Sequence, residues 1–374
     1  MKNKIHKIVI TGGPCAGKTT AMAYLKRKLE EKGYFVLIVP EAATLCINGG
    51  INPGLDVING SILQKAIIGS GYDLEERWCA VAEKVAEKKD VVILYDRGIP
   101  DSQAYTSLPA YAGFLKKEEL NYLHVRDSRY DAVIHLRTTA IGAEDFYTLS
   151  NNSARSETPE QARELDQKTQ DAWTGHPHLR IVDNSTDFDG KLHRAYQEVC
   201  AVLGIPVPIE RERKFLVKID DRSNLPDGAQ PIEIEQAYLV TPDPKVEVRV
   251  RRRGQDGYFT YYRTRKEDHG PGERLEIEEI ISRREYDFGY SMKKTDSEPV
   301  RKTRTCFVHG SQYFELDKFE DPRALPGADD LLLEIELTRE DQEVDIPGWI
   351  TVDREVTDDS DFSNANIAKR LATA

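Results

Sequence analysis

The chain has little cysteine, and what it has is unorganised. Its 374 residues hold five cysteines, Cys15, Cys46, Cys79, Cys200 and Cys306, scattered without pairing or metal-ligand spacing. That excludes a disulfide framework and a zinc ribbon, and the odd count suits a reducing, cytoplasmic compartment. Long apolar runs are also missing. The longest, "KIVITGG" and "DVVILYD", are strand-sized, far short of the run of about 20 residues that spans a bilayer. The start "MKNKIHKIVITGG" leads straight into a strand and a glycine loop, so no signal peptide and no membrane partner are expected. Excess positive charge is absent too: the net charge is -12. Residues 206–374 carry 27 Lys and Arg against 37 Asp and Glu, and residues 1–205 carry 25 against 27. Sequence-independent nucleic-acid binding depends on neutralising phosphates, so this balance argues against it. Within the acidic half the cations are concentrated, in "VRVRRRG" and "VRKTRT". No internal repeat or low-complexity tract is present.

Length favours two domains. Residues 1–204 alternate strands ("HKIVITGG", "YFVLIVPE", "DVVILYDRG", "YDAVIHLRT", "LRIVDN") with helices ("KTTAMAYLKRKLEEKG", "LEERWCAVAEKVAEKK", "TPEQARELDQKTQDAW"). Apolar strands separated by helices predict a parallel sheet covered on both faces, an α/β domain. Thr158 is the expected N-cap of the last of these helices, with Pro159 at its first position. Gly204, Pro206 and Pro208 mark a junction. Residues 205–374 then read as eight strands with one helix, "SRREYDFGYSMKK".

"GGPCAGKTT" fits the pattern G-x-x-x-x-G-K-[ST] between a strand and a helix. The backbone N–H groups of Gly12, Gly13, Pro14, Cys15, Ala16, Gly17, Lys18, Thr19 and Thr20, less proline's, are candidates to cradle phosphates at a helix N-terminus. Lys18 would reach the β/γ-phosphates and Thr19 would ligate Mg²⁺, with ATP or GTP as the nucleotide. Asp96 ends a strand, where a carboxylate can hold the Mg²⁺ shell or accept a hydroxyl proton. Arg97 follows it. Glu41 ends the second strand and faces the edge where open α/β sheets bind ligands. Arg155, in a polar stretch before a helix, is a candidate lid arginine. Residues 5–200 thus resemble the P-loop nucleoside/nucleotide kinase-like ATPases, an AAA-like group that includes nicotinamide riboside kinase-like domains.

The second half has an odd strand grammar. Glu247, Arg249 and Arg251 share one face of a strand; so do Arg274, Glu276 and Glu278, Glu334 and Glu336, and Lys302 and Arg304. A single such strand is an ordinary antiparallel strand with a solvated face. Repeated over the whole half, the pattern predicts a barrel of about eight strands with a charged lumen. Its cations would bind phosphate oxygens. Its carboxylates would hold Mg²⁺ or Mn²⁺. Glu210, Glu212 and Lys214 alternate in "ERERK" and share one face in the same way.

"ERERK" resembles the E-x-E-x-K signature of the CYTH superfamily, the triphosphate tunnel metalloenzymes. The later order follows the same family: Arg249 and Arg251, Thr264 and Lys266, Arg274 with Glu276 and Glu278, Lys302 and Arg304, Asp317, Glu334 and Glu336, then Glu355 and Asn364. The likeness spans residues 208–372. It implies an α+β domain built on an antiparallel tunnel barrel that takes triphosphate-containing small molecules with a divalent metal. It implies Glu210, Glu212 and Glu334 or Glu336, with Asp317, as the metal set. It implies Arg249, Arg251, Lys266, Arg274, Lys302 and Arg304 as phosphate ligands. Lys214 would orient a phosphate or balance the glutamates. Arg263 and Arg265 beside Lys266 leave open which of the three points inward. The favoured reading is a metal-dependent triphosphatase joined to a kinase-like nucleotide-binding domain, with RNA 5′ ends less favoured as substrate. An adenylyl cyclase tunnel, or one half sensing nucleotide or polyphosphate for the other, is the alternative.

Overall fold

A computed structural model of the chain describes residues 3–51, 60–147, 157–205, 212–219, 221, 224–243, 246–270, 273–327, 330–339 and 341–373, with the side chains of 268–270 and 273–275 outside the description. It divides into two compact units, Met1–Val199 and Cys200–Ala374.

The first unit runs β1 (Ile5–Thr11), α1 (Lys18–Glu31), β2 (Phe35–Val39), α2 (Ala42–Asn48), α3 (Gly60–Val85), β3 (Val91–Asp96), α4 (Leu108–Lys117), α5 (Tyr122–Asp127), β4 (Ala132–Leu136), α6 (Pro159–Trp173), β5 (Leu179–Val182) and α7 (Phe188–Leu203). Its five strands are ordered β2-β3-β1-β4-β5 and all pairs are parallel. Both faces are covered, so Ile8, Val9 and Ile10 of β1 and Val91 to Leu94 of β3 are fully buried. That is why these strands read as unbroken apolar runs. The carboxyl end of central β1 opens between β3 and β4, where such sheets hold ligands. Thr158 caps α6 through a reciprocal pair with Gln161, at 2.8 and 3.3 Å.

The second unit runs β6 (Glu212–Ile219), β7 (Gln230–Tyr238), β8 (Val246–Gln255), β9 (Tyr258–Gly270), β10 (Glu273–Ile281), α8 (Arg283–Ser291), β11 (Val300–His309), β12 (Gln312–Phe319), β13 (Leu331–Glu336), β14 (Ile350–Glu355) and α9 (Asn364–Ala372). Nine strands form one antiparallel sheet, ordered β10-β9-β8-β7-β11-β12-β13-β6-β14. Among the described residues the edge strands β10 and β14 share no ladder.

Burial distinguishes the two faces of this sheet. Its charged face is withdrawn from solvent: Arg249 is 9% exposed, Lys302 3%, Glu334 3% and Asp317 0%. A sheet that rolls around such a face withdraws it from solvent, in keeping with a tunnel. The opposite face is apolar and covered from outside. Tyr286 of α8 packs on Ala237, Leu239, Val250 and Ile281. Trp349 and Ile346 pack on Phe215, Phe307, Phe314 and Leu333. At one end of the charged face the polar residues give way to Leu216, Tyr238, Val300, Phe319 and Leu332, sealed by Ile367, Ala368 and Leu371 of α9. Among the described residues, no helix is long and apolar enough to cross a membrane.

Candidate functional sites

The phosphate loop follows β1. A Cβ on Gly12, where φ is +140°, would stand 2.0 Å from the Leu136 carbonyl oxygen, so only glycine fits there. Gly17, with φ +87°, starts α1 and lies against the Phe188 ring. Lys18 is 8% exposed, and its ammonium donates to the Gly12 and Gly13 carbonyls, both at 3.1 Å. Thr19 and Thr20 are exposed.

Three further predicted residues gather at this edge. Asp96 is half-buried; its Oδ1 has no hydrogen-bond partner among the described residues. Burial pushes its carboxyl up, against the pull of Lys18. Arg97 donates from Nε to Glu41 at 2.8 Å and lies 3.5 Å from Asp101. Burial works to raise the Glu41 carboxyl, but Arg97 and Lys18 outweigh it and hold it down to about 2. Arg155 lies outside the described residues.

Sequence reasoning missed the residue that braces this loop. Asp166 of α6 is fully buried. It accepts from the Gly13 N–H at 2.8 Å and the Thr138 N–H at 3.0 Å, with Arg137 3.3 Å and His135 Nε2 3.2 Å away. Burial opposes its charge, yet these neighbours hold the carboxyl at about 2. A signal existed: Ala162, Asp166, Thr169, Gln170 and Trp173 form a buried stripe at helical spacing, in which a carboxylate is out of place unless paired. On the loop's other side Lys191 of α7 donates to the Ala16 and Arg137 carbonyls, at 3.2 and 2.6 Å, and to Asn184 at 2.7 Å.

The second site is the charged face of the nine-stranded sheet. Lys214 bridges Glu212 at 2.9 Å and Glu334 at 3.1 Å, across the β6–β13 ladder. Burial and the Glu334 charge push the Glu212 carboxyl up. Burial acts the same way on Glu334, but Lys214, Arg304 and Lys302 carry it well below the usual carboxylate range. Arg304 meets Asp317 at 2.7 Å and also pairs with Glu315 and Glu334. Lys302 pairs with Asp317 and donates to Asn364 at 3.1 Å. Glu315, which the sequence did not single out, has its carboxyl raised by burial and by Glu334, Glu336 and Asp317, against Arg304.

On the other side of the face, Arg249 lies 3.4 Å from Glu276, which also pairs with Lys266. Arg251 is 3.9 Å from Glu278, which accepts from Thr264 at 2.6 Å. The open choice on β9 is resolved: Lys266 turns inward, while Arg263 and Arg265 are exposed and pair with Glu279 and Glu267. Cations here crowd one another. Burial and Arg249 lower the Arg251 guanidinium, and burial and Arg304 lower the Lys302 ammonium.

Glu355 does not join this group. It is exposed and pairs with Arg213 at 2.6 Å, and Arg213 points to the face opposite Glu212 and Lys214. Glu210 lies outside the described residues, as does the Arg274 side chain; Glu336 is exposed. Among the described residues no three His, Cys, Asp or Glu converge on one metal position. The donors nevertheless suit a hard divalent cation: two carboxylates, Glu212 and Glu334, already share one cationic neighbour, the Lys214 ammonium.

Comparison with known proteins agrees with both halves. Residues 7–191 match the model of an AAA domain and residues 208–369 that of a CYTH domain. The inorganic triphosphatase of Nitrosomonas europaea is 31% identical over 170 residues, covering 42% of this chain and 96% of that protein. A crystal structure of an inorganic triphosphatase is 30% identical, covering 44% of this chain and 96% of that one, with a TM-score of 0.32. At the family level the CYTH match and the curated relative support triphosphate hydrolysis. The chain belongs to the CYTH family through residues 208–369, joined to an AAA domain at residues 7–191.

Proposed function

We propose that the second unit hydrolyses a short phosphate chain, with inorganic triphosphate the favoured substrate, using Mg²⁺ or Mn²⁺. The observation that carries this reading is the buried face on which Arg249, Arg251, Lys302 and Arg304 stand beside Glu212, Glu334 and Asp317. Such a face has no use in a plain core, where buried charge is costly. It fits a ligand that is itself polyanionic and arrives with a cation. The arginines and lysines bind phosphate oxygens, bidentate where the guanidinium allows. Glu212 and Glu334, with Glu210 and Glu336, would hold the metal. When bound, the metal neutralises phosphate charge and polarises water. Lys214 orients a phosphate or balances the glutamates.

The first unit, in the same proposal, binds a nucleoside triphosphate with its loop amides and Lys18, and Thr19 would hold its Mg²⁺. Asp96 would accept a proton or meet the metal shell, a reading supported by its unpartnered buried oxygen and the nearby Lys18 charge.

A phosphate-release panel on the full chain tests both assignments. Tripolyphosphate, pyrophosphate, ATP, GTP and thiamine triphosphate are compared with Mg²⁺ and with Mn²⁺. Glu212→Ala should abolish release from the preferred substrate, and Lys18→Ala should leave tripolyphosphate hydrolysis intact. Full activity in Glu212→Ala would sink the tunnel site.

A further inference from the structure

Gln236 stands outside every motif above, yet it sits within the charged face. On β7 it shares its side with Tyr238, whose phenol bonds Arg249. It is directly opposite Arg251 in the β7–β8 ladder, a position that brings Cβ atoms within about 5.5 Å. Gln236 is 1% exposed. Its Nε2 is buried with no hydrogen-bond partner among the described residues, as are the Nε atoms of Arg249 and Arg251. Further along the same row of β7 come Ile232 and Ile234, both buried, which offer no acceptor.

An amide donor buried without an acceptor destabilises a fold, and leucine or methionine would serve the packing better. Three unmet donors on neighbouring positions of one face call for an oxygen anion. The amide also suits this spot better than another cation would. Arg251 and Lys302 are already pressed toward their neutral forms by burial and by nearby arginines. A neutral donor adds a hydrogen bond without adding to that repulsion.

We infer that Gln236 binds substrate directly, donating from Nε2 to a phosphate oxygen of the triphosphate beside Arg249 and Arg251. The inference rests on the reading of this face as a triphosphate site. It is tested on the full chain with Gln236→Met, which keeps length without the donor, and Gln236→Glu, which keeps shape and reverses polarity. Inorganic tripolyphosphate is the probe, without metal for the ligand-induced shift in melting temperature and with Mg²⁺ for phosphate release. Without ligand, Gln236→Met should melt no lower than the native chain. Its affinity for tripolyphosphate should fall about ten- to a hundredfold, the loss expected for a bond to a charged acceptor. KM should rise with kcat little changed. Gln236→Glu should lose binding at pH 8 and recover part of it at pH 5, as the carboxyl takes up a proton. Unchanged tripolyphosphate binding in Gln236→Met overturns the inference. So does a large drop in its unliganded melting temperature, because the amide would then be paired within the fold. If the native chain releases no phosphate from tripolyphosphate, the hydrolase reading falls, while the metal-free binding comparison still decides the role of the amide.

Discussion

Asp166→Ala and Asp166→Asn separate what the carboxylate does for the phosphate loop into two parts. Alanine strands two buried N–H groups, those of Gly13 and Thr138, at about 1–3 kcal/mol each. It also leaves Arg137, 3.3 Å away and 6% exposed at its side chain, without its carboxylate, a loss of about 3–5 kcal/mol for a buried pair. The total, on the order of 5–10 kcal/mol, reaches the whole stability of a typical domain, so Asp166→Ala should leave the first unit unfolded. Asparagine keeps an oxygen for both backbone N–H groups, but loses the charge and the second oxygen, which accepts from Gln170 Nε2 at 3.1 Å. The remaining cost of about 3–5 kcal/mol corresponds to a fall in melting temperature of roughly 6–20 °C for a unit of this size. The pH dependence supplies a second signature. The folded carboxyl is held at about 2, below its unfolded value of about 3.9. Its contribution is therefore complete above about pH 4 and is lost as pH falls through 2. Calorimetry of the full chain between pH 2 and 7 measures both effects. An Asp166→Asn chain that melts within about 2 °C of the native one, with the same acid profile, would refute the assignment.

Two further predictions concern lysines, Lys191 buried and Lys214 half-buried. Burial lowers the Lys191 ammonium to about 7, below its unfolded value of about 10.4, so the unfolded chain holds the extra proton and stability of the first unit should rise between pH 7 and 10. Lys191→Met should abolish that rise in thermal melts, while lowering the plateau as three oxygens lose their donor; a native chain with flat stability across this window contradicts the reasoning. Lys214→Met leaves Glu212 and Glu334 facing each other, a loss of about 3–5 kcal/mol in EDTA, and Mg²⁺ should raise its melting temperature more than that of the native chain. An equal or smaller Mg²⁺ response would show that the two carboxylates do not attract a cation.

What the sequence made legible, and what it hid, divides by distance along the chain. The phosphate loop is written in nine adjacent residues, "GGPCAGKTT", and the charged strands in alternations within single strands, so both could be read locally. The stripe of α6 marks Asp166 as a carboxylate in need of a partner, but not which one, because its bond to Gly13 joins residues 153 positions apart. Gln236 hid for a related reason: in "IEIEQAYLV" it alternates with isoleucines, and only pairing with Arg251 shows what it faces. The helix read from Leu74 in fact begins at Gly60. It runs through Gly69, where a Cβ would meet nothing within 4 Å, and Gly71, where one would meet only Ala42 of α2 at 3.6 Å. Strand β14 is missing from the eight strands read because four of its six residues are polar or charged.

The two candidate sites hold their lysines differently, and this bears on what each can bind. Lys18 rests on two carbonyl oxygens, which carry partial charge. A phosphate offers full charge, so it attracts the ammonium by a charge–charge interaction that a carbonyl dipole cannot match. A polyanion alone can therefore draw Lys18 away. Lys214 rests between two carboxylates. A phosphate that took it would leave Glu212 and Glu334 to repel each other, an effect that adds to burial in raising the Glu212 carboxyl. Only a ligand that brings its own cation removes that obstacle. Metal-free tripolyphosphate should then engage the arginines and leave Lys214 where it is, so that in EDTA its affinity for Lys214→Met matches the native chain. A difference between the two should emerge only when Mg²⁺ is added. A loss of affinity already present in EDTA would mean that Lys214 meets phosphate without help from a metal.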